Sequence, residues 1–124
     1  MRISIIGTGY VGLVSGACLA EVGHDVTCVD LEPTKVDAIN AGRAPIHEAG
    51  LPELLQRTVG RKLRATADLA GAVQASDVTF IAVGTPAADG KIDLQYVRRA
   101  AEQIGAAMRG KPGRHTVVVK STVI

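Results

Sequence analysis

The sequence predicts an α/β fold, a doubly wound parallel sheet with helices on both faces. Two observations lead to this prediction. Short aliphatic segments of strand length alternate along the chain with longer segments of helical spacing. The 124 residues are 47% hydrophobic but only 2% aromatic, so we expect one domain with a core of Val, Ile, Leu and Ala.

The N-terminal part of the chain predicts two strands and two helices. Residues 3–6 form a short apolar run that ends at a glycine, which is typical of a buried parallel strand. Small and apolar residues over 10–22 predict a helix, and residues 26–30 predict a second strand after a turn. Pro33 suits the first position of a helix, which ends at Gly42.

The middle of the chain predicts shorter elements. A short helix is expected over 52–58 and a third strand over 63–66. A brief helix over 68–73 begins with an aspartate that can cap it. Residues 78–83 are strongly apolar and predict the fourth strand, and residues 86–91 are expected to form a loop.

The C-terminal part contains the most regular helical pattern. Asp93 is expected to cap a helix whose solvent-exposed face carries Arg98, Arg99 and Glu102. Its apolar positions recur at steps of three and four residues, at Leu94, Val97, Ala101, Ile104 and Met108. Residues 116–119 predict a fifth strand. With right-handed crossovers the strand order is 3-2-1-4-5, and a ligand is expected at the carboxyl ends of strands one and four.

The first predicted strand leads into a glycine-rich loop with the pattern G-x-G-x-x-G, Gly7-Thr8-Gly9-Tyr10-Val11-Gly12. Between a strand and a helix, this pattern is typical of a Rossmann dinucleotide-binding unit. Gly7 permits a tight turn, Gly9 leaves room for a pyrophosphate, and Gly12 lets the helix pack closely. The N–H groups at the start of the helix then face the phosphates. A purely structural glycine turn is the alternative.

Asp30 ends the second predicted strand, eighteen residues after Gly12. An acid at about this distance accepts hydrogen bonds from the adenine-side ribose of a dinucleotide. Its charge also repels a 2′-phosphate, so the sequence predicts NAD in preference to NADP. Lys35 lies in the first turn of the next helix, either beside the ribose or adenine or as an ordinary surface lysine.

Four motifs in this order closely resemble the N-terminal NAD-binding domain of the UDP-glucose/GDP-mannose dehydrogenase family. The resemblance covers essentially the whole chain. The motifs are the glycine-rich loop, Pro45-Ile46-His47-Glu48-Ala49-Gly50-Leu51, Val83-Gly84-Thr85-Pro86 and Lys120-Ser121-Thr122-Val123. Ala49 stands where the family usually has proline, which should loosen that loop without changing the class.

The resemblance implies an enzyme that oxidises C6 of a nucleotide-linked sugar to a carboxylate with two NAD, in nucleotide-sugar metabolism and polysaccharide biosynthesis. UDP-glucose is placed ahead of GDP-mannose as the substrate. The resemblance implies that the cofactor is lined by Val11, Asp30, Lys35, Thr85 and Thr122. With the glycine-rich loop, the predicted cofactor-binding residues are Gly7, Gly9, Tyr10, Val11, Gly12, Asp30, Lys35, Thr85 and Thr122. The position of Thr122 also implies that it helps to hold a water near the reacting carbon.

The family's catalytic cysteine, lysine and asparagine lie beyond residue 124. We therefore expect residues 1–124 to be one domain of a longer, homodimeric enzyme. The sheet should stop before its sixth strand, and the chain alone should bind NAD without turning over substrate. Cys18 and Cys28 do not match the catalytic cysteine and are expected to be small buried residues.

Composition argues against several other classes. The net charge of +2 does not indicate a nucleic-acid partner or an anionic membrane surface. No apolar run is long enough to span a bilayer, no secretion signal is recognised, and the expected location is the cytoplasm. His24, His47 and His115 lack metal-ligand spacing and are expected on the surface or in loops. Another Rossmann dehydrogenase and a non-catalytic NAD-binding module remain the alternatives.

Overall fold

A computed structural model describes residues 1–88 and 90–121, which form a parallel sheet covered by helices. The strands are β1 (Arg2–Ile6), β2 (Asp25–Val29), β3 (Leu63–Thr66), β4 (Val78–Ile81), β5 (Ala87–Ala88), β6 (Lys91–Ile92) and β7 (Thr116–Val119). The helices are α1 (Tyr10–Glu21), α2 (Pro33–Asn40), α3 (Leu51–Thr58), α4 (Leu69–Gln74) and α5 (Gln95–Ala107).

The main sheet has the order β3-β2-β1-β4-β7, and every neighbouring pair is parallel. The predicted order is confirmed, since β7 is the fifth predicted strand. In the central strand β1, Ile6 pairs with Val29 of β2 on one side and with Ile81 of β4 on the other. The loops that follow these three strands therefore leave the sheet side by side at its carboxyl edge.

Two apolar clusters cover the two faces of the sheet. Ile5 and Ile6 are consecutive in β1 and point to opposite faces, so each belongs to a different cluster. The cluster around Ile5 contains Leu13 of α1 and Leu55 of α3, and the cluster around Ile6 contains Ile104 of α5. Full burial of each such side chain contributes about 1.5–3 kcal/mol to folding.

The structure differs from the expected elements in the segment after β4. The fourth strand ends at Ile81, two residues earlier than predicted. The expected loop over 86–91 contains a small antiparallel pair, β5 and β6, in which Ala87 pairs with Ile92. Strands of two residues are too short to produce a periodic sequence pattern, so the prediction of a simple loop was wrong.

The predicted cap of α4 and the bounds of the last predicted strand are confirmed. Asp68 caps α4 as predicted, because its side chain accepts a hydrogen bond from the Gly71 N–H at 3.1 Å. Asp93 was expected to cap α5, but the N-cap residue is Leu94, and no side chain in the described part of the chain caps this end. Asp93 lies one residue earlier, where its Oδ1 accepts from the N–H of Gln95 at 2.9 Å. The strand β7 lies at an edge of the sheet, where its residues Val117, Val118 and Val119 are exposed.

Within residues 1–88 and 90–121, none of the helices combines the length and apolar character needed to cross a bilayer.

Candidate functional site

The glycine-rich loop connects β1 to α1 in a conformation that depends on its glycines. Gly7 has a φ of +108°, and a Cβ there would lie 2.6 Å from the Ala82 carbonyl oxygen. A Cβ on Gly12 would overlap the Gly7 carbonyl oxygen. The loop and the helix therefore pack on each other and on the end of β4 too closely for side chains at these two positions.

Gly9 faces open space. Among the described residues, no atom lies within 4 Å of a Cβ built at this position. The helix α1 begins immediately after it at Tyr10, and no side chain in the described part of the chain caps this end. The first-turn N–H groups of α1 are thus left for an anionic group that approaches across Gly9.

Asp30 lies directly after β2, and its carboxylate is held by backbone and side-chain donors. Its Oδ2 accepts hydrogen bonds from the Thr8 hydroxyl at 2.5 Å and from the Thr8 N–H at 3.3 Å. Its Oδ1 accepts from the Glu32 N–H at 3.0 Å. Partial burial raises the pKa of Asp30, but these hydrogen bonds and the positive charge of Lys35 outweigh it and hold the pKa below its usual range.

The opposite wall of the site is built by the ends of β4 and β7. The Ser121 hydroxyl donates to the carbonyl oxygen of Val83 at 2.8 Å, and the Lys120 N–H donates to that of Ile81 at 2.8 Å. These bonds tie the two loops together beside Thr85. Thr122, for which a water-holding role was predicted, lies outside the described residues.

These elements enclose one crevice of about 780 Å³ at the carboxyl edge of the sheet. Its size is within the range of roughly 300–1,000 Å³ that is usual for small-molecule sites. Most of the predicted site residues line it together, namely Gly7, Gly9, Tyr10, Val11, Asp30, Lys35 and Thr85. Gly12 lies behind the loop and acts on the site through packing alone.

Several lining residues were not predicted from the sequence. Leu31 is 73% exposed although it is apolar, and it lines the crevice directly after Asp30. An apolar residue that follows the acid at the end of the second strand is the signal that was missed. On the side of α4 and α5, the crevice is also lined by Leu69, Tyr96, Arg99, Ala100 and Gln103. Arg99 is exposed, as predicted for the solvent-exposed face of α5, but it also borders the crevice.

The two cysteines lie outside this crevice and differ from each other. Cys28 in β2 is fully buried as predicted, and burial raises the pKa of its thiol to about 12. Cys18 is exposed, so the expectation that it is buried was wrong. The buried small residues of α1 are Gly12, Gly16, Ala17 and Ala20, and a helical rotation of about 100° per residue places Cys18 on the opposite face.

His115 was expected at the surface or in a loop, but its ring joins a set of buried hydroxyls, here called the amino-end cluster. The cluster consists of Ser4, Ser76, Thr79 and His115. His115 Nε2 lies 2.8 Å from Thr79 Oγ1, which lies 2.6 Å from Ser4 Oγ, and Ser76 donates to Ser4 at 3.0 Å. His115 precedes β7 and Ser76 precedes β4, so the cluster lies toward the amino ends of the strands.

Residues 1–124 match the family described as UDP-glucose/GDP-mannose dehydrogenase family, NAD binding domain. The chain is 53% identical over 127 residues to a GDP-mannose 6-dehydrogenase of Pseudomonas aeruginosa, which covers all of this chain and 29% of that protein. It is 52% identical over 126 residues to a UDP-glucose 6-dehydrogenase of Rhizobium meliloti, covering 99% of this chain and 28% of that protein.

Solved structures agree with these matches. A GDP-mannose dehydrogenase from Pseudomonas aeruginosa, crystallised as a ternary complex, superposes with a TM-score of 0.97 at 51% identity over 100% of this chain and 29% of that one. A UDP-glucose dehydrogenase from Pyrobaculum islandicum gives 0.92 at 46% identity, over 98% of this chain and 28% of that one. The chain therefore spans less than a third of the length of these relatives.

Proposed function

The chain belongs to the UDP-glucose/GDP-mannose dehydrogenase family as an NAD-binding domain, and from that premise we propose that it supplies the cofactor site of a longer nucleotide-sugar 6-dehydrogenase. One observation carries the proposal. The open turn at Gly9, the uncapped start of α1 and the ionised Asp30 all face one crevice. Each provides what one part of a dinucleotide requires.

The pyrophosphate is assigned to the start of α1. Its N–H groups are donors, the helix dipole favours negative charge, and Gly9 offers no side chain to keep a phosphate away. Tyr10 and Val11 are exposed at this turn and border the same space. This is the fit expected of a Rossmann glycine loop for a dinucleotide.

The adenosine half is assigned to the Asp30 side of the crevice. The carboxylate accepts ribose hydroxyls and repels a 2′-phosphate, which favours NAD over NADP. Lys35 faces the same side, and Leu31 gives an apolar surface next to the acid. The other nucleotide then extends along the carboxyl edge toward Thr85 and the end of β7.

NAD, when bound, accepts hydride from the sugar. Oxidation of a C6 alcohol to a carboxylate releases two hydrides to two NAD and takes one water for the second oxygen, with three protons set free. This chain holds and orients the cofactor for these steps. Sugar binding and covalent chemistry are assigned to the rest of the longer protein, which we propose acts as a homodimer.

UDP-glucose and GDP-mannose are both candidate substrates. UDP-glucose is the substrate expected first from the resemblance, whereas relatives named for UDP-glucose and for GDP-mannose match this chain at 52% and 53% identity. The described residues belong to the cofactor side of the enzyme. We therefore propose the shared chemistry, oxidation of C6 in a nucleotide-linked hexose, and leave the choice of sugar to the assay.

The first test is a fluorescence titration of the 124-residue chain with NADH and, in parallel, with NADPH. Saturable NADH binding with much weaker NADPH binding is the expected result. Failure to bind either cofactor, from a chain whose circular dichroism shows cooperative unfolding, would refute cofactor binding by this domain.

The second test uses the longer protein with UDP-glucose and with GDP-mannose, and measures NADH by absorbance. Two NADH per sugar from one of the substrates is expected. Tight NAD binding without oxidation of either sugar would favour another dehydrogenase or a non-catalytic module.

A further inference from the structure

Thr8 is a buried polar residue in the glycine-rich loop. Its exposed fraction is 1%, whereas its neighbours Gly9, Tyr10 and Val11 are exposed. A buried hydroxyl in a solvent-facing turn requires a partner, because an unpaired one costs free energy. The partner of Thr8 is the Asp30 carboxylate, twenty-two residues away on a different strand end.

The hydrogen bonds divide the two carboxylate oxygens of Asp30 into different roles. Oδ2 receives both the hydroxyl and the N–H of Thr8. From the residues that the structure describes, Oδ1 receives the Glu32 N–H alone. A carboxylate has about four acceptor positions, so three are filled and the open one lies on Oδ1.

This arrangement fixes the carboxylate before a ligand arrives. Two donors from one residue prevent the side chain from rotating about its last bond, and they favour the ionised form. The Asp30 N–H donates to the Thr66 carbonyl oxygen at 3.1 Å, so the backbone of the acid is held as well. The carboxylate is thus a preorganised acceptor for ribose hydroxyls. It also cannot rotate to reduce its electrostatic repulsion of a 2′-phosphate.

We propose that Thr8 is a positioning residue for cofactor selectivity: its hydroxyl locks Oδ2 of Asp30 so that Oδ1 is the oxygen presented to the ribose. The proposal rests on the proposed function in so far as the ribose belongs to NAD. It adds that discrimination against NADPH depends on Thr8, a buried residue of the crevice wall whose hydroxyl is bonded to Asp30 and which acts through that carboxylate.

Thr8→Val tests the lock because it keeps the β-branched shape and removes the donor. The ratio of the NADPH to the NADH dissociation constant is expected to fall roughly 3- to 10-fold, since an unrestrained side chain must be ordered again on binding. Thr8→Ser retains the hydroxyl and should stay within about twofold of the original ratio. Thr8→Ala replaces Thr8→Val if the latter does not unfold cooperatively.

A second readout does not involve the cofactor. The titration of the Asp30 carboxyl carbon, followed by NMR, should move to higher pH in Thr8→Val and remain in place in Thr8→Ser. In an Asp30→Asn background, Thr8→Val should leave the dissociation-constant ratio unchanged.

An unchanged ratio together with an unchanged Asp30 titration in Thr8→Val would overturn the proposal. If the unmodified chain binds neither cofactor, the proposed function fails, and the Asp30 titration alone then decides whether Thr8 holds the carboxylate.

Discussion

Asp30 at the carboxyl end of the parallel sheet and the amino-end cluster at its other end hold their polar groups in opposite states. At the carboxyl end, Asp30 is partly exposed, ionised and held by donors that leave one acceptor position open. In the amino-end cluster, Ser4 and Thr79 are fully buried and bond to each other and to uncharged neighbours. Asp30 presents a charge to an incoming group, whereas the amino-end cluster joins β1 and β4 through uncharged hydroxyls.

The difference shows how one fold places ligand binding at one end of the sheet and contacts that hold the strands together at the other. Strand pairing joins Ile3–Ile6 of β1 to Val78–Ile81 of β4, and the loops that line the crevice follow the carboxyl ends of these strands. Toward the amino ends, hydroxyls within hydrogen-bond distance satisfy one another, which is the inexpensive way to bury polar atoms. A change at one end of the sheet is therefore expected to leave the other end unaltered.

The largest expected effect is a difference in thiol reactivity between the core of the sheet and the surface of α1. Cys28 lies in β2, fully buried, with the pKa of its thiol raised to about 12, while Cys18 is exposed on α1. A thiol reagent should therefore modify Cys18 about a thousandfold faster than Cys28, which must wait for unfolding.

The rates are measured by absorbance on Cys28→Ala and Cys18→Ser, each of which keeps one thiol. Equal rates in urea provide the control. Rapid labelling of Cys28 under native conditions would mean that the middle of the sheet is accessible to the reagent. The two ends of the sheet would then not be separated by a closed core.

Alanine substitutions at Gly12 and Gly9 should distinguish the effect of packing on stability from the effect of the loop on cofactor binding. Gly12→Ala is expected to destabilise the fold by about 1–3 kcal/mol, because the added carbon overlaps the Gly7 carbonyl oxygen. Gly9→Ala enters open space and should change stability by no more than about 0.5 kcal/mol.

Both variants should bind NADH more than about tenfold more weakly, Gly9→Ala because its methyl occupies the place of the pyrophosphate. Urea unfolding and NADH fluorescence measure the two effects. A stable Gly9→Ala variant with full affinity would contradict the assignment of that turn to the phosphates.

Asp30→Asn should remove the charge from the carboxyl end and leave the amino-end cluster intact. We expect the preference for NADH over NADPH to fall about tenfold, in line with the loss of a hydrogen bond to a charged group. Asp37→Asn, exposed on α2, is the matched control and should change nothing. A retained preference in Asp30→Asn would show that another group, such as Lys35 or Leu31, determines selectivity.

The sequence predicts the carboxyl end much better than the amino end, and the reason is physical. Glycine spacing, a terminal acid and aliphatic runs are local patterns, and they predicted the strand order, the loop and the position of Asp30. The bond between Thr8 and Asp30 and the contact between Thr79 and His115 join residues far apart in sequence. Such contacts depend on the finished sheet, so no local pattern reveals them.

The smallest expected effect tests the amino end through pH. Burial and the charge of Lys111 lower the pKa of His115, and they outweigh the Ser76 carbonyl and Asp77, which favour the charged ring. The unfolded chain then takes up this proton first, at about pH 6.5. The stability contribution is thus present above that pH and is lost as the pH falls toward the lower folded pKa.

His115→Gln should flatten this part of the pH profile, and His47→Gln, exposed in its loop, should leave it unchanged. Urea midpoints at pH 7.5 and 5.5 measure the difference, which we expect to stay below about 1 kcal/mol because solvent screens the partly exposed ring. Neither substitution should change the affinity for NADH. A loss of affinity on protonation of His115 would mean that the bond to Thr79 reaches the crevice through β4, and that the two ends of the sheet act as one unit.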